Sequence, residues 1–143
     1  MTTKDYLNQI REMDMLINNK IAEVTRLKEI AYSVKAVRYD KEYVQATPNI
    51  DKIGTAIAKI DEVNRTIDKM IDAYVDKKDE IVKQIDEMQK DVYYDVLYKR
   101  YVLFKPNYVI AEEIHYSERH VSRLHDTALD MFEEMFGMCY LNI

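Results

Sequence analysis

Glycine and proline are scarce in this chain of 143 residues, which contains two of each. Average usage would give about 17 of the two together. Because the tight turns of β-sandwiches and barrels depend on these residues, their scarcity argues against an all-β fold. Gly54 and Gly137 lie far apart, so the chain has no glycine-rich loop for a nucleotide phosphate. The composition therefore predicts an all-α protein with long helices.

Cysteine and long apolar runs are also nearly absent. A single cysteine, Cys139, excludes an internal disulfide and a cysteine-rich zinc site. The longest run without Asp, Glu, Lys or Arg is 135–143, far shorter than the roughly 20 apolar residues of a membrane span. The N-terminus, MTTKDYLNQIREMDM, lacks the apolar core of a signal peptide. We therefore expect a cytoplasmic protein that contacts no membrane. Its net charge of −5 gives no bulk basic surface for nucleic acid.

Two long segments, about 3–38 and 53–92, carry apolar residues at alternating spacings of four and three. This spacing is typical of a left-handed coiled coil and not of a strand. The first stripe is Tyr6, Ile10, Met13, Ile17, Lys20, Val24, Leu27, Ala31, Val34 and Arg38. The second stripe is Ile53, Ile57, Ile60, Asn64, Ile67, Ile71, Tyr74, Lys78, Ile81, Ile85, Met88 and Val92. Between them Pro48, which lacks an amide hydrogen, predicts a turn within 39–52.

The similar lengths of the two segments predict an antiparallel coiled-coil hairpin over 1–90. In the favoured register Tyr6 faces Ile85 and Val24 faces Ile67. Asn64 would then be a buried polar residue that fixes the register. An intermolecular coiled coil that uses the same stripe is the alternative.

The remaining segment, 91–143, predicts a second domain, because the heptad pattern stops at Val92 and aromatic residues become frequent. Pro106 interrupts it once, and Gly137 lies where a helix would end. The apolar tail, 138–143, is expected to pack on the core or to form a small dimer contact. We predict three shorter helices at about 91–104, 107–114 and 118–135.

The last two predicted helices are separated by only three residues, which is the arrangement of a DNA-binding helix-turn-helix. Ser117 is a suitable N-cap for the last helix, because its hydroxyl can accept from free amides. Asn107 is the expected cap of the helix before it. Ala111 is small enough for a close crossing of the two helices. The apolar residues expected to face inward are Ile110, Ile114, Val121 and Leu124.

The outer face of the last helix carries side chains that can read bases. Arg119 and Arg123 are four residues apart and therefore share a face. Arginine is the commonest specific reader of guanine, and a glutamate such as Glu118 can accept from N4 of cytosine. The amides after Ser117 are suited to a phosphate, and His120, at the edge of this face, could contact another.

Three stretches resemble region 4 of bacterial sigma factors, the helix-turn-helix that reads the −35 promoter element. They are Asp95–Val102 (DVLYKRYV), Ile110–Ile114 (IAEEI) and Tyr116–His125 (YSERHVSRLH). With its heptad-patterned N-terminal half, the whole chain resembles the late-gene transcription regulators of phages and prophages of Gram-positive hosts, of the ArpU and RinA type.

The resemblance implies a sequence-specific DNA-binding regulator of transcription. It implies that the residues facing the bases are Glu118, Arg119, Ser122 and Arg123. It also implies that Lys99, Arg100 and Ser117 contact the DNA backbone. The usual pattern has glycine where this chain has Phe104 and His115. His115 is therefore expected to adopt a left-handed turn with a side chain in place, as histidine does more readily than most residues.

The charge of this region predicts weak binding by a single copy. From residue 100 to residue 126 the chain has four basic and four acidic residues, and phosphate contacts supply most nonspecific affinity. We therefore expect a homodimer on two half-sites of double-stranded DNA, or binding together with RNA polymerase as a second reader.

Neither a metal, nor a cofactor, nor a catalytic site is predicted. His115, His120 and His125 are five residues apart, whereas metal pairs on one helix face are three or four apart. We interpret them as turn and surface residues. Because a nucleophile, a base and an orienting group cannot be assembled, we do not expect an enzyme. Two other functions stay open: a DNA-packaging protein of the small-terminase kind, and a coiled-coil adaptor that binds no DNA.

Overall fold

The structure, a computed structural model, describes residues 1–40 and 47–141, with side chains for 1–32 and 52–141. Within these residues the protein is all-helical and has no β-strand, as the composition predicted. The five α-helices are α1 (Thr3–Asp40), α2 (Thr47–Asp86), α3 (Val92–Leu97), α4 (Asn107–Ile114) and α5 (Glu118–Phe136). A π-helical turn, Tyr98–Val102, continues α3, and a 3₁₀ turn, Gly137–Cys139, follows α5. Of the helices described, none combines the length and the apolar character needed to cross a membrane.

The start of α2 corrects the predicted turn. The helix begins at Thr47 and not at Ile53, so Pro48 lies in its first turn. Proline is tolerated there because the first amides of a helix have no partner within it. The link 41–46, and the predicted seam positions Val34 and Arg38, lie outside the residues or side chains that the structure describes.

The end of α2 also differs from the prediction, since the helix stops at Asp86 and not near Val92. The carboxylate of Asp91 accepts hydrogen bonds from the amides of Tyr93, at 3.0 Å, and Tyr94, at 3.3 Å. An aspartate in this position caps a new helix. The heptad pattern therefore runs on in the sequence while the backbone has already begun α3.

The chain divides into two compact units, one made of Met1–Met13 with Tyr74–Ile143 and the other of Asp14–Ala73. These boundaries cut across both long helices and differ from the division between residues 90 and 91 predicted above. The reason lies in the core of the first unit. It joins the first turns of α1 and the last turns of α2 to α3, the π-helical turn and α5, through Tyr6, Leu7, Ile10, Ile81, Ile85, Met88, Leu97, Tyr101, Val102, Ala128 and Phe132.

Tyr140 of the C-terminal tail packs on this core, which is one of the two roles expected for the tail. The ring of Tyr140 stacks on the ring of Tyr6, with centroids 4.2 Å apart. The Tyr140 hydroxyl and Oγ1 of Thr3 are hydrogen-bonded at 2.8 Å. The Tyr6 hydroxyl donates to Oε1 of Gln84 at 2.7 Å. Both ends of the described chain are thus attached to the same cluster of α1 and α2 residues.

The second unit has a small core of Val24, Val63 and Ile67, with Leu27 and Ile60 packed against it. The predicted seam of α2 is wrong in part. Asn64 is exposed and cannot act as a buried register residue, and two of its heptad neighbours, Ile57 and Ile71, are 52% and 40% exposed.

The seam of α2 is rotated toward Ala56 and Val63, which are buried in place of Ile57 and Asn64. Both sets complete a heptad with Ile60 and Ile67, because a seam can step by three or by four residues. The observed set keeps the amide of Asn64 in water, and burying that amide without partners would cost about 1–3 kcal/mol.

Candidate nucleic-acid interface

Helices α4 and α5 are joined by three residues, His115 to Ser117, and their bounds match the prediction to within one residue. Their inner faces form a buried cluster with α3, made of Val96, Ile110, Ala111, Val121 and Leu124. Ile114 packs against it. The residues predicted to face inward therefore do so, and they determine which side of α5 faces solvent.

The turn between the two helices depends on a left-handed residue. His115 has φ 61° and ψ 40°, and its amide bonds the carbonyl of Ala111 at the end of α4. The next amide, of Tyr116, donates to the same carbonyl at 3.0 Å. The expectation of a positive φ at His115 is confirmed. Phe104, the other position where the sigma pattern has glycine, has φ 58°.

Of the two N-caps predicted for α4 and α5, one is observed and the other is not. Ser117 is the N-cap of α5, and its hydroxyl accepts from the amide of His120 at 3.1 Å, as predicted. The prediction that Asn107 caps α4 is wrong, because Pro106 precedes the helix and makes no side-chain cap. The Pro106 carbonyl instead accepts from the amide of Ile110 at 3.1 Å. The side chain of Asn107 is engaged elsewhere, as the acceptor of a hydrogen bond from Arg100.

The predicted base-reading residues lie on the outer face of α5. Glu118, Arg119, Ser122 and Arg123 are all exposed. Neither Arg119 nor Arg123 forms an ion pair with another residue of the described chain. His120 is half-buried at the edge of this face, with its ring edge-on to that of Tyr116 at 4.7 Å between centroids. Two guanidinium groups are thus left to solvent on one helix face.

Lys99 and Arg100, the two residues of the π-helical turn that were expected to contact the DNA backbone, are bound within the protein. Lys99 Nζ lies 2.9 Å from Oε2 of Glu113 and 3.9 Å from Oδ2 of Asp95. The Arg100 guanidinium donates through Nη1 to Oδ1 of Asn107 at 2.5 Å. The structure therefore separates the predicted set into exposed, unpaired side chains on α5 and engaged side chains on the π-helical turn.

His125 corrects the interpretation of the histidines as turn and surface residues. Its side chain is buried, and Nε2 is hydrogen-bonded to the Tyr101 hydroxyl at 2.5 Å. Burial, followed by the charge of Arg100, lowers the pKa of His125 below its ordinary value of 6.5. Burial also raises the pKa of Tyr101 to about 12. Both side chains are therefore neutral at physiological pH, and they form a polar contact inside an apolar core.

Sequence reasoning missed this pair and the contact of Glu113 with two lysines. Their partners are 24 residues apart for Tyr101–His125 and 14 for Lys99–Glu113, so no helical spacing relates them. The one available signal was the apolar surroundings of His125, between Leu124 and Ala128 on the inner side of α5. Elsewhere, the described residues contain no group of three His, Cys, Asp or Glu side chains placed to hold a metal ion.

Comparison of the chain with protein-family models, with curated proteins and with solved structures found no match in any of the three. The chemistry of the α4–α5 module therefore rests on its own geometry. That geometry offers two unpaired guanidinium groups, a carboxylate and two hydroxyls around the first turns of α5, on the exposed face of that helix.

Proposed function

We propose that the protein binds double-stranded DNA sequence-specifically through α4 and α5 and regulates transcription, in the manner of the phage late-gene regulators that it resembles. The observation that carries the proposal is the division of α5 into two faces. Val121 and Leu124 hold one face on α4, while Arg119 and Arg123 are exposed on the other with no partner among the described residues.

The two arginines have the chemistry to read guanine, because a guanidinium donates two parallel hydrogen bonds to O6 and N7 in the major groove. Glu118 is suited to N4 of cytosine. The N-terminus of α5 is suited to a backbone phosphate, since its free amides and the helix dipole favour an anion there. Only one of those amides, that of His120, is already bonded to the Ser117 hydroxyl.

We further propose that two copies bind together, because the module offers few unpaired cations. Under this proposal α1 and α2 form the antiparallel coiled-coil hairpin. Two observations support it: the first turns of α1 share a core with the last turns of α2, and Val24 of α1 shares a second core with Val63 of α2. Ile57 and Ile71 are two heptads apart and exposed on one face of α2. This face is the candidate contact for a second copy, with RNA polymerase as the other candidate.

The test begins with selection of duplexes from a random library by the full chain, followed by fluorescence anisotropy on the selected sequence. Arg119→Ala and Arg123→Ala should each weaken binding by about 5- to 150-fold, the effect of losing one bidentate base contact of about 1–3 kcal/mol. Arg65→Ala, which removes an exposed arginine of α2, should change binding by less than about twofold, since it alters net charge alone.

Unchanged binding by both α5 variants would refute a reading role for this helix and favour the adaptor. Light scattering on the same samples tests the assembly. A dimer that is lost in Ile57→Lys and Ile71→Lys is expected. A ring-sized oligomer would favour DNA packaging, and tight, salt-insensitive binding by a monomer would contradict the two-copy proposal.

A further inference from the structure

A carboxylate on α4 holds two lysines from a different part of the chain. Glu113 accepts from Lys99 through Oε2, at 2.9 Å, and from Lys105 through Oε1, at 2.5 Å. Each carboxylate oxygen therefore has its own ammonium partner. Lys99 belongs to the π-helical turn and Lys105 to the loop that leads into α4, so three separate segments meet at one anion.

The charges at this cluster stay in place at neutral pH and remain open to solvent. The hydrogen bonds from Lys105 and then Lys99 lower the pKa of the Glu113 carboxyl. The side chain of Glu113 is 33% exposed, and that of Lys105 is 32% exposed. Ion pairs of this exposure are weak, because solvent screens the charges and the long side chains lose conformational freedom when they pair. A stronger or more concentrated anion can therefore replace the carboxylate.

The cluster lies close to the helix that we propose reads DNA. Glu113 is in the last turn of α4, and α5 begins five residues later at Glu118. An extended chain of that length spans at most about 18 Å. The major groove is about 12 Å wide and is bordered on both sides by phosphates. If α5 lies in the groove as proposed, we expect one of the phosphates that border the groove to come within reach of Lys99 and Lys105.

We propose that Lys99 and Lys105 form a second phosphate-binding position, and that Glu113 is the internal anion that occupies it until a phosphate of the DNA backbone displaces it. This inference rests on the proposed function. It accounts for how a module with as many acids as bases can still gain cations on binding. Glu113 limits binding to nonspecific DNA, because every phosphate contact made by these lysines has to replace an existing ion pair.

The test compares Glu113→Gln with Glu112→Gln, a matched control. Glu112 is the neighbouring acid on α4, is exposed, and has no ion pair with any residue of the described chain. Both substitutions remove one negative charge. In anisotropy titrations with a random duplex, Glu113→Gln should bind about five- to tenfold more tightly than the wild type at low salt. Its slope of log affinity against log salt should match that of the wild type, since the same two lysines neutralise phosphates in both once the DNA is bound.

Glu112→Gln should change affinity by less than about twofold and leave the slope unchanged. The gain in Glu113→Gln should disappear when Lys99 and Lys105 are both replaced by Gln. The same lysine pair replaced in the wild-type background should lower the slope by about 1–2. This arm does not depend on Glu113, so it applies even if Glu113→Gln fails to fold.

Equal gains in the two glutamate variants would overturn the inference, because the effect would then be one of net charge. A wild-type slope that is unaffected by loss of both lysines would overturn it as well. In both cases the proposed function stands as long as Arg119→Ala weakens binding to the selected sequence. Absence of duplex binding by the wild type and by every variant would overturn the proposed function and this inference together.

Discussion

Replacing His115 by glycine should stabilise the protein by about 0.8 kcal/mol, although the change removes a whole side chain. His115 ends α4 at φ 61° and ψ 40°. In this conformation the Cβ of an L-residue lies too close to the following carbonyl oxygen, at a cost of about 1–2 kcal/mol that glycine does not have. The imidazole is exposed, so its loss removes little packing.

The opposing effect is in the unfolded state. Glycine has more unfolded conformations to lose than a residue with a Cβ, which reduces the gain by about 0.4–1 kcal/mol. The two effects leave a net stabilisation of between about 0 and about 1.6 kcal/mol, with about 0.8 kcal/mol as the central value. Against a slope of about 2 kcal/mol per molar urea, the midpoint of unfolding should rise by about 0.4 M with the slope unchanged.

Equilibrium urea unfolding followed by far-UV circular dichroism measures this shift, and His115→Ala is its matched control. Alanine removes the imidazole but keeps the Cβ, so His115→Ala should unfold close to the wild type and below His115→Gly. If the glycine and alanine variants unfold at the same urea concentration, the Cβ at residue 115 adds no strain to the left-handed turn. That result would refute the reasoning.

Three further variants test the same part of the molecule. Phe104→Gly should destabilise the protein by about 1 kcal/mol in urea, although φ there is 58°, because the half-buried ring packs against the core of the first unit and the lost burial exceeds the relief of strain. Because burial lowers the pKa of His125, the contribution of its neutral side chain to stability should be complete above pH 6.5 and decline as the pH falls below 6.5 toward the lowered pKa. His125→Gln should flatten this dependence in thermal melts. Ser117→Ala should cost about 1 kcal/mol, since the amide of His120 loses its acceptor, and thermal melts measure this as well.

The bounds of α4 and α5 could be predicted because their signals are local. Ser117 caps by its own hydroxyl, and Pro106 can stand only before or at the start of a helix. The same property of proline led to the wrong prediction of a turn at Pro48, which lies in the first turn of α2. A proline between two heptad segments fits a turn and the first turn of a helix equally well, and the sequence around it contains nothing that decides between them.

The seam of α2 shows a second limit of pattern reasoning. Residues 53, 60 and 67 belong to either seam, and the choice between Asn64 and Val63 as their neighbour depends on which face meets α1. A pattern of apolar residues cannot express this, because Ile57 and Ile71 make the exposed face nearly as apolar as the buried one. The predicted and the observed seam differ in the free energy needed to bury the amide of Asn64. A count of apolar positions does not include this free energy.

The charged part of the candidate site was the least predictable. Arg119 and Arg123 could be assigned to the outer face of α5 because helical periodicity opposes them to Val121 and Leu124. The state of Lys99 could not be assigned, since it depends on an acid in another helix. Exposure of a cation follows from the pattern of its own helix, whereas its pairing follows from tertiary structure.

The buried hydrogen bond between Tyr101 and His125 gives α5 a defined rotation about its axis. Apolar side chains such as Leu124 tolerate small rotations, because the hydrophobic effect is non-directional. A buried polar pair that loses its hydrogen bond costs about 1–3 kcal/mol for the group left unsatisfied. Arg123 lies two residues before His125, about 200° away around the helix, and therefore on the opposite side. The contact that holds α5 inside the protein thus also sets where this guanidinium group points outside. If α5 reads DNA as we propose, base selectivity will depend on a histidine that contacts no base.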